Sequence, residues 1–254
     1  MQHTDIDAPE KTFLHAQIIQ SKKFLRRLYA EWYEAISLLI PDRPSGGVVE
    51  LGSGGGFAKD IIPLTITTEI LAVSGVDIRL DAGDLPFKNS SLKGVYMLDV
   101  FHHLNRSDRF LREAARCVQP GGVLVMVEPW NTFFSRFIYQ FLHHEPFEPD
   151  SPCWALPAGG PLSTANSALP WMVFDRDRSR FEREYPEWRL ENIRLHTPFR
   201  YLLSGGVSKC YSMPDSLFEF WKSLENRLGS LVKHLAMFAT IYLVREPMAT
   251  SKSD

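Results

Sequence analysis

The feature that most constrains this chain is a run in which four of five residues are glycine, Gly52-Ser-Gly54-Gly-Gly56, placed directly after the short apolar stretch Gly47-Val-Val-Glu50-Leu51. A buried strand feeding a glycine-rich turn leaves bare backbone at the carboxyl end of a sheet, because no Cβ stands in a ligand's way. The spacing narrows the choice of ligand. A dinucleotide fingerprint G-x-G-x-x-G begun at Gly52 needs glycine at position 57, where the chain has Phe57, and no G-x-x-x-x-G-K-[ST] phosphate loop occurs. What remains is a nucleotide-like ligand held without phosphate cradling, or a tight strand-to-helix turn that holds no ligand.

The surrounding pattern alternates helix and strand. Leu14, Ile18, Leu25, Leu28, Trp32, Ile36 and Leu39 recur at helical spacing and predict one or two leading helices over residues 13–40, ended by Pro41 and Pro44. Residues 57–62 predict a helix cut short by Pro63, and residues 66–71, 75–78 and 94–98 predict strands. Ser107 or Asp108 is expected to cap a helix with Phe110, Leu111, Ala114, Ala115 and Val118 facing inward, terminated at Pro120-Gly-Gly122. Val123-Leu-Val-Met-Val127 reads as a strand buried on both faces, and the alternation implies a mostly parallel sheet covered on both sides. Beyond Pro129, residues 130–144 are aromatic and helix-capable. Residues 145–170 hold six prolines and Gly159-Gly160, a stretch expected to form a lid, a binding loop or a disordered segment. Residues 188–196 and 236–245 predict strands. Ser212-Met-Pro-Asp215 resembles a capping box opening a helix with Leu217, Phe220, Trp221, Leu224, Leu228 and Leu231.

Composition excludes some partners. Lys and Arg number 28 against 30 Asp and Glu, for a net charge of −2, so the basic excess of a nucleic-acid grip is missing and no nucleic-acid partner is expected. Cys117, Cys153 and Cys210 are odd in number and widely spaced, which predicts neither a disulfide framework nor a paired metal site and suits a reducing, cytoplasmic location. Residues 1–11 are polar and acidic, unlike a secretory leader, and the longest apolar run, residues 235–244, is far short of the roughly 20 residues of a membrane span. Lys22, Lys23, Arg26 and Arg27 read as a solvated helix face, with peripheral contact to an anionic membrane left open.

Four stretches follow in order between residues 48 and 128: the Glu50-to-Gly56 turn, Asp81-Ala-Gly-Asp-Leu-Pro-Phe87, Leu98-Asp-Val-Phe-His-His-Leu104, and Phe110-Leu-Arg-Glu-Ala-Ala-Arg116 with Pro120-Gly-Gly122 after it. Together they resemble the class I S-adenosylmethionine-dependent methyltransferases, in particular the small-molecule type related to quinone-methylating enzymes. The resemblance implies an α/β, Rossmann-like fold: a seven-stranded, mostly parallel sheet with helices on both faces and the last strand antiparallel. It implies one methyltransferase domain over residues 1–254, with residues 1–44 as a helical cap and residues 129–180 as an insertion forming much of an acceptor lid. The implied cofactor is S-adenosylmethionine, with its methionine part over Gly52, Gly54 and Gly56 and Glu50 orienting the turn from below. An acid ending the second strand would accept hydrogen bonds from the ribose. Glu69, 17 residues after Gly52, is the candidate, and Asp77 the runner-up. Asp81 would meet the adenine amino group and Ala82 the ring, and Asp99 would lie on the cofactor side of the following loop. The chain departs from the family at one place: eleven residues between Glu69 and Asp81 leave room for a turn and not for a helix.

Methyl transfer is an in-line displacement that depends on holding a nucleophile close to the methyl group. A hydroxyl acceptor gains from a base, and histidine is matched to neutral pH, so His102 and His103 are the catalytic candidates. Adjacent side chains diverge, so one of the two is expected to face the acceptor. Otherwise they orient substrate, cap the next helix or pack. His143-His144-Glu145, with Glu148, Asp150 and Cys153, suggests a metal only superficially, because neighbouring histidines on a helix do not share a face; no metal is expected there, and substrate contact or local structure is. Trp130, Phe133, Phe134, Phe137, Tyr139 and Phe141 favour an apolar or ring-bearing acceptor, and Arg200 and Tyr201 are weaker candidates for a polar one. The expected function is methyl transfer to a small, partly apolar molecule, oxygen preferred. The alternatives are a catalytically silent cofactor-binding module and, disfavoured by Phe57, a nicotinamide-dependent oxidoreductase.

Overall fold

The computed structural model describes residues 6–54 and 56–247; Gly55, inside the glycine run, and both chain ends lie outside the described residues. Seven strands form one sheet in the order β3-β2-β1-β4-β5-β7-β6. They are β1 Gly47–Leu51, β2 Thr65–Glu69, β3 Ile78–Arg79, β4 Leu92–Leu98, β5 Val118–Pro129, β6 Trp188–His196 and β7 Phe238–Arg245. Neighbours from β3 through β5 are parallel, and β7 runs antiparallel to both β5 and β6, as the sequence resemblance implies. The chain leaves β1 toward one edge and returns to its other side at β4. Their carboxyl ends therefore flank the crevice where open α/β sheets bind ligands.

Two leading helices, α1 Pro9–Ser21 and α2 Lys23–Ser37, pack across this end of the sheet. In α2 the helical spacing buries Phe24, Leu25, Leu28, Tyr29, Trp32, Tyr33 and Ile36. Each such side chain contributes about 1.5–3 kcal/mol when fully buried, which fixes the helix rigidly over the β1 turn. Helix α3, Ser107–Cys117, connects β4 to β5 and buries Phe110, Leu111, Ala114 and Ala115.

Several local expectations change. The predicted helix over 57–62 is only a 3₁₀ turn, Ala58–Asp60, because six residues before Pro63 give too little length to repay helix nucleation. β3 shrinks to two residues, and the link from β2 contains no helix; Asp77 ties it down by accepting hydrogen bonds from Thr67 N and Oγ1, both at 2.9 Å. Ser107 and Asp108 lie inside the first turn of α3 with no side-chain cap, and Asp108 bonds Arg106 instead. Pro120-Gly-Gly122 belongs to β5 itself, which starts directly after α3. No capping box forms at Asp215; the reciprocal pair is Thr132 with Ser135, at the start of helix α4, Phe133–Phe141.

The insertion after β5 returns to the sheet. Residues 142–168 are irregular, followed by a helical stretch through Leu169–Trp171, a π turn and Arg178–Glu184. The irregular part is tied to the loop after β4: Asn166 N donates to His102 O at 2.9 Å, and Leu156 N to Asn105 O at 3.3 Å.

Candidate functional site

A cavity of about 480 Å³ opens at the carboxyl ends of β1, β2 and β4, within the size range of small-molecule sites. Its floor is the glycine turn, where Gly52 has φ +66° and a Cβ would come within 2.5 Å of Val100 Cγ2 on the β4 loop. A Cβ at Gly56 would meet the Tyr33 hydroxyl at 2.3 Å, so that glycine lets α2 close down on the turn. Thr12, His15, Ile19, Tyr29 and Tyr33 from the two leading helices roof the space.

The floor contains two buried acids. Glu69 lines the cavity; its Oε2 accepts from Gly54 N at 3.1 Å and its Oε1 from Ile70 N at 2.8 Å. Burial pushes its carboxyl up, against the pull of these backbone donors. Glu50 sits beneath the turn, off the cavity wall, and its Oε2 has no hydrogen-bond partner among the described residues. Burial pushes it up to about 7, partly offset by hydrogen bonds from Ser53 and Tyr33. The runner-up Asp77 lies off the cavity, paired with Lys59, whose hydrogen bond together with those of Thr67 lowers it to about 2. Asp81 and Ala82 line the adjoining end, where Asp81 Oδ1 accepts from Gly83 N at 2.7 Å.

The other end is where β4 stops. Asp99 lines the cavity with φ +62° and is pushed up to about 7 by burial, with His102 opposing and Glu145 and Glu128 adding. His103 also lines it, and His102 does not. His102 is 1% exposed, with Nδ1 2.8 Å from Glu128 Oε2 and Nε2 3.4 Å from Glu145 Oε2. Burial works against its charge, but the hydrogen bond of Glu128 and the facing carboxylates outweigh it and hold His102 well above its ordinary value. His103 Nδ1 lies 3.0 Å from the carbonyl of Thr164 and Nε2 3.7 Å from Glu145 Oε1; burial and the neighbouring His102 push it down to about 4.

Glu145 is the hub of this end. His143 and His144 approach it too, at 3.9 and 3.8 Å. Burial opposes its ionisation, yet the approach and charge of His102, with His103 and His143, hold it well below the carboxylate range. Sequence reasoning grouped Glu145 with its chain neighbours and missed its approach to His102 and His103. It missed Glu128 entirely, although a lone carboxylate ending an otherwise apolar strand, Val123-Leu-Val-Met-Val127, was a signal. Glu128 is fully buried and accepts from Val100 N at 2.8 Å and Phe101 N at 2.7 Å.

Arg200 does not line the cavity. It is buried and paired with Glu225 and Glu31, both at 2.6 Å, and so ties a C-terminal helix to α2. Tyr201 does reach the cavity, with Tyr139, Val207 and Phe238.

The glycine floor, with an acid at the end of β2 and no phosphate loop, suits a nucleoside ligand whose polar groups are hydroxyls and amines. Residues 49–126 match the family model described as a methyltransferase domain. Among curated proteins, demethylmenaquinone methyltransferase of Tropheryma whipplei is 28% identical over a match that covers 39% of this chain and 48% of that protein. The chain thus spans about half the length of the curated relatives it matches. Among solved structures, phosphoethanolamine N-methyltransferase 2 of Haemonchus contortus superposes with a TM-score of 0.53 at 11% identity, covering 94% of this chain and 58% of that one. A chain from the complex of the Haloferax volcanii Trm112 activator with a methyltransferase gives 0.52 at 14% identity, covering 92% and 94%. Geranyl diphosphate C-methyltransferase of Streptomyces coelicolor gives 0.50 at 11% identity, covering 87% and 80%. These likenesses establish a shared fold, and with the family match they bear out the resemblance to class I methyltransferases read from the four ordered motifs.

Proposed function

We propose that this chain, which carries a methyltransferase domain on a class I methyltransferase fold, transfers a methyl group from S-adenosylmethionine to a small, partly apolar acceptor, oxygen preferred, in the cytoplasm and without nucleic acid as partner. The observation that carries the reading is one cavity joining a glycine floor backed by Glu69 to a polar end built from Asp99, His103 and Glu145. Bound there, the cofactor would supply an electrophilic methyl group on a sulfonium. The chain's own groups fit it: Gly52, Gly54 and Gly56 leave room for the methionine part, and the carboxylate of Glu69 suits ribose hydroxyls. Asp81 and Ala82 suit the adenine, and Asp99 the side nearest the positive charge. Glu50, whose Oε2 has no hydrogen-bond partner among the described residues, supports the turn from below.

Catalysis in this reading is chiefly positioning, with the acceptor atom brought to roughly 3–3.5 Å of the methyl carbon. Residues 6–44 and 129–180 close over the cavity as cap and lid and keep water out. Tyr29, Tyr139, Tyr201 and Phe238 provide the apolar and ring-bearing wall. Of the two histidines, His103 faces the acceptor, and His102 acts from behind by holding Glu145. A hydroxyl bound between His103 and Glu145 has a place for its proton to go.

The test is transfer of labelled methyl from S-adenosylmethionine into fractionated metabolite and lipid extracts, alongside calorimetry with S-adenosylhomocysteine and NADH. A labelled small molecule and S-adenosylhomocysteine binding are expected. Binding without any labelled product would leave a silent cofactor-binding module, and NADH binding in place of S-adenosylhomocysteine would overturn the reading.

A further inference from the structure

Glu145 faces imidazoles whose outer hydrogen bonds determine which of their nitrogens point inward. His103 Nδ1 lies 3.0 Å from the carbonyl of Thr164, and a carbonyl only accepts, so Nδ1 carries a proton and Nε2 a lone pair in the neutral ring. His102 Nδ1 lies 2.8 Å from Glu128 Oε2, while the other oxygen of Glu128 is held by the N–H groups of Val100 and Phe101. Nδ1 therefore donates here as well. Both Nε2 atoms then face one carboxylate, at 3.4 and 3.7 Å from its two oxygens. Lone pairs and a carboxylate do not satisfy one another, and His102 Nε2 is buried with no hydrogen-bond partner among the described residues, in a side chain only 1% exposed. Either a proton on His102 Nε2 or a metal ion must supply the positive charge among these three groups.

We propose that His102 Nε2, His103 Nε2 and a Glu145 carboxylate oxygen bind a divalent metal ion of the zinc and iron class, with its open side toward the cavity. Ligand atoms set tetrahedrally about 2.1 Å from a zinc ion stand about 3.4 Å apart, the separation of His102 Nε2 from Glu145 Oε2. The three ligand atoms all lie within 4.8 Å of one another. Each histidine has the outer partner that metal-binding imidazoles require, a carboxylate for His102 and a backbone carbonyl for His103. Two imidazoles and one carboxylate suit zinc or iron better than magnesium or calcium, which favour all-oxygen sites. The second possible group, Asp99 with His102 and Glu128, would use His102 Nδ1, which is already committed to a hydrogen bond of normal length.

Three protein ligands leave a coordination position free. His103 and Glu145 line the cavity beside Asp99, so that position faces the acceptor space. The ligand class it would take is an oxygen donor, a hydroxyl or hydroxyl-bearing ring, whose proton a bound metal makes easier to remove. In the loaded protein His103 is a ligand rather than a proton acceptor. The site does not depend on methyl transfer, since a silent cofactor-binding protein with these residues would take up the same ion.

The experiment uses the full chain, stripped by chelator dialysis, titrated with Zn²⁺ by calorimetry and with Co²⁺ by visible absorption. One equivalent per chain and nitrogen-ligand cobalt bands are expected. Glu145→Gln and His103→Asn should weaken binding by more than about 100-fold, and Glu128→Gln, which removes only an outer partner, by about 10–100-fold. His234→Ala, at an exposed histidine of the last helix and off the cavity wall, should change nothing. Melting curves with and without Zn²⁺ show which variants fold, and if Glu128→Gln does not, the two cavity-wall variants decide. No uptake by the wild type, or uptake unchanged in both cavity-wall variants, would leave a proton as the sole occupant between His102 and Glu145 and overturn the proposal. Loss of uptake in His234→Ala would also overturn it. S-adenosylhomocysteine titrations of the same samples separate this outcome from failure of the methyltransferase reading.

Discussion

Replacing Glu50 by glutamine is expected to flatten the pH dependence of the protein's stability. Glu50 is fully enclosed beneath the glycine turn, and its carboxyl is displaced from an ordinary 4.5 to about 7 by burial. Below 4.5 the group is protonated whether the chain is folded or not, so it contributes no pH dependence. Between 4.5 and about 7 the unfolded chain releases its proton while the folded chain keeps it, so stability falls as pH rises through this window. Above about 7 both states are ionised and the loss is complete. Each pH unit of displacement corresponds to about 1.4 kcal/mol, so the full loss is about 3 kcal/mol. Glutamine stays neutral and cannot show it. Urea unfolding of the cofactor-free protein near pH 4 and near pH 8 should therefore give a wild-type-minus-variant difference that changes by about 3 kcal/mol, the variant gaining at high pH. Any constant cost of the amide beside the unpartnered oxygen cancels in that comparison. Difference curves that stay parallel within about 0.5 kcal/mol would refute the reasoning and mean that Glu50 ionises as an exposed acid does.

Other consequences follow from the same geometry. Glu69→Ala or Asp81→Ala should weaken S-adenosylhomocysteine binding by about 1–3 kcal/mol, measured by calorimetry, and unchanged affinity in both would remove these residues from the cofactor site. His102→Ala or His103→Ala should lower turnover with little change in cofactor affinity, once the acceptor is in hand; full rates in both would exclude an acceptor-side role. Gly52→Ala meets both a positive φ and the side chain of Val100, and a loss of about 1–3 kcal/mol in urea unfolding is expected, partly restored by Val100→Ala. Arg200→Ala strands Glu225, which is only 5% exposed, and should cost about 3–5 kcal/mol of stability; a variant that folds normally but loses acceptor affinity would return Arg200 to the substrate.

The sheet was legible because its signals are local. A short strand-forming run before a glycine cluster, and helices bounded by proline, need no knowledge of distant residues, and they led to a mostly parallel sheet; the number of strands and the antiparallel last strand followed only from the resemblance carried by the four ordered motifs. The errors arose where a short segment lacked the length to sustain its local preference, as at residues 57–62, or where a near neighbour in the chain captured a capping residue, as Arg106 does with Asp108. The placement of Arg200 off the cavity wall depends on partners remote in the chain. Its guanidinium is consumed by Glu31 and Glu225, one before and one after it in the chain, and no spacing rule links the three.

The polar end of the cavity was half legible, and the missing half follows from strand register. β4 and β5 run parallel with Leu98 opposite Val127, so the residue after Val127 must lie beside the loop that begins at Asp99. Glu128 is that residue, and its carboxylate takes up the N–H groups of Val100 and Phe101 just where the chain turns out of the sheet. Those two bonds fix the loop, and the loop turns His102 back onto the same carboxylate. Once His102 is held on one side, the insertion has to supply whatever meets its other nitrogen, and it supplies Glu145. The histidine pair was visible in the sequence as a motif. Its chemistry was not, because it depends on two acids, one placed by the pairing of β5 with β4 and the other by the path of a proline-broken loop.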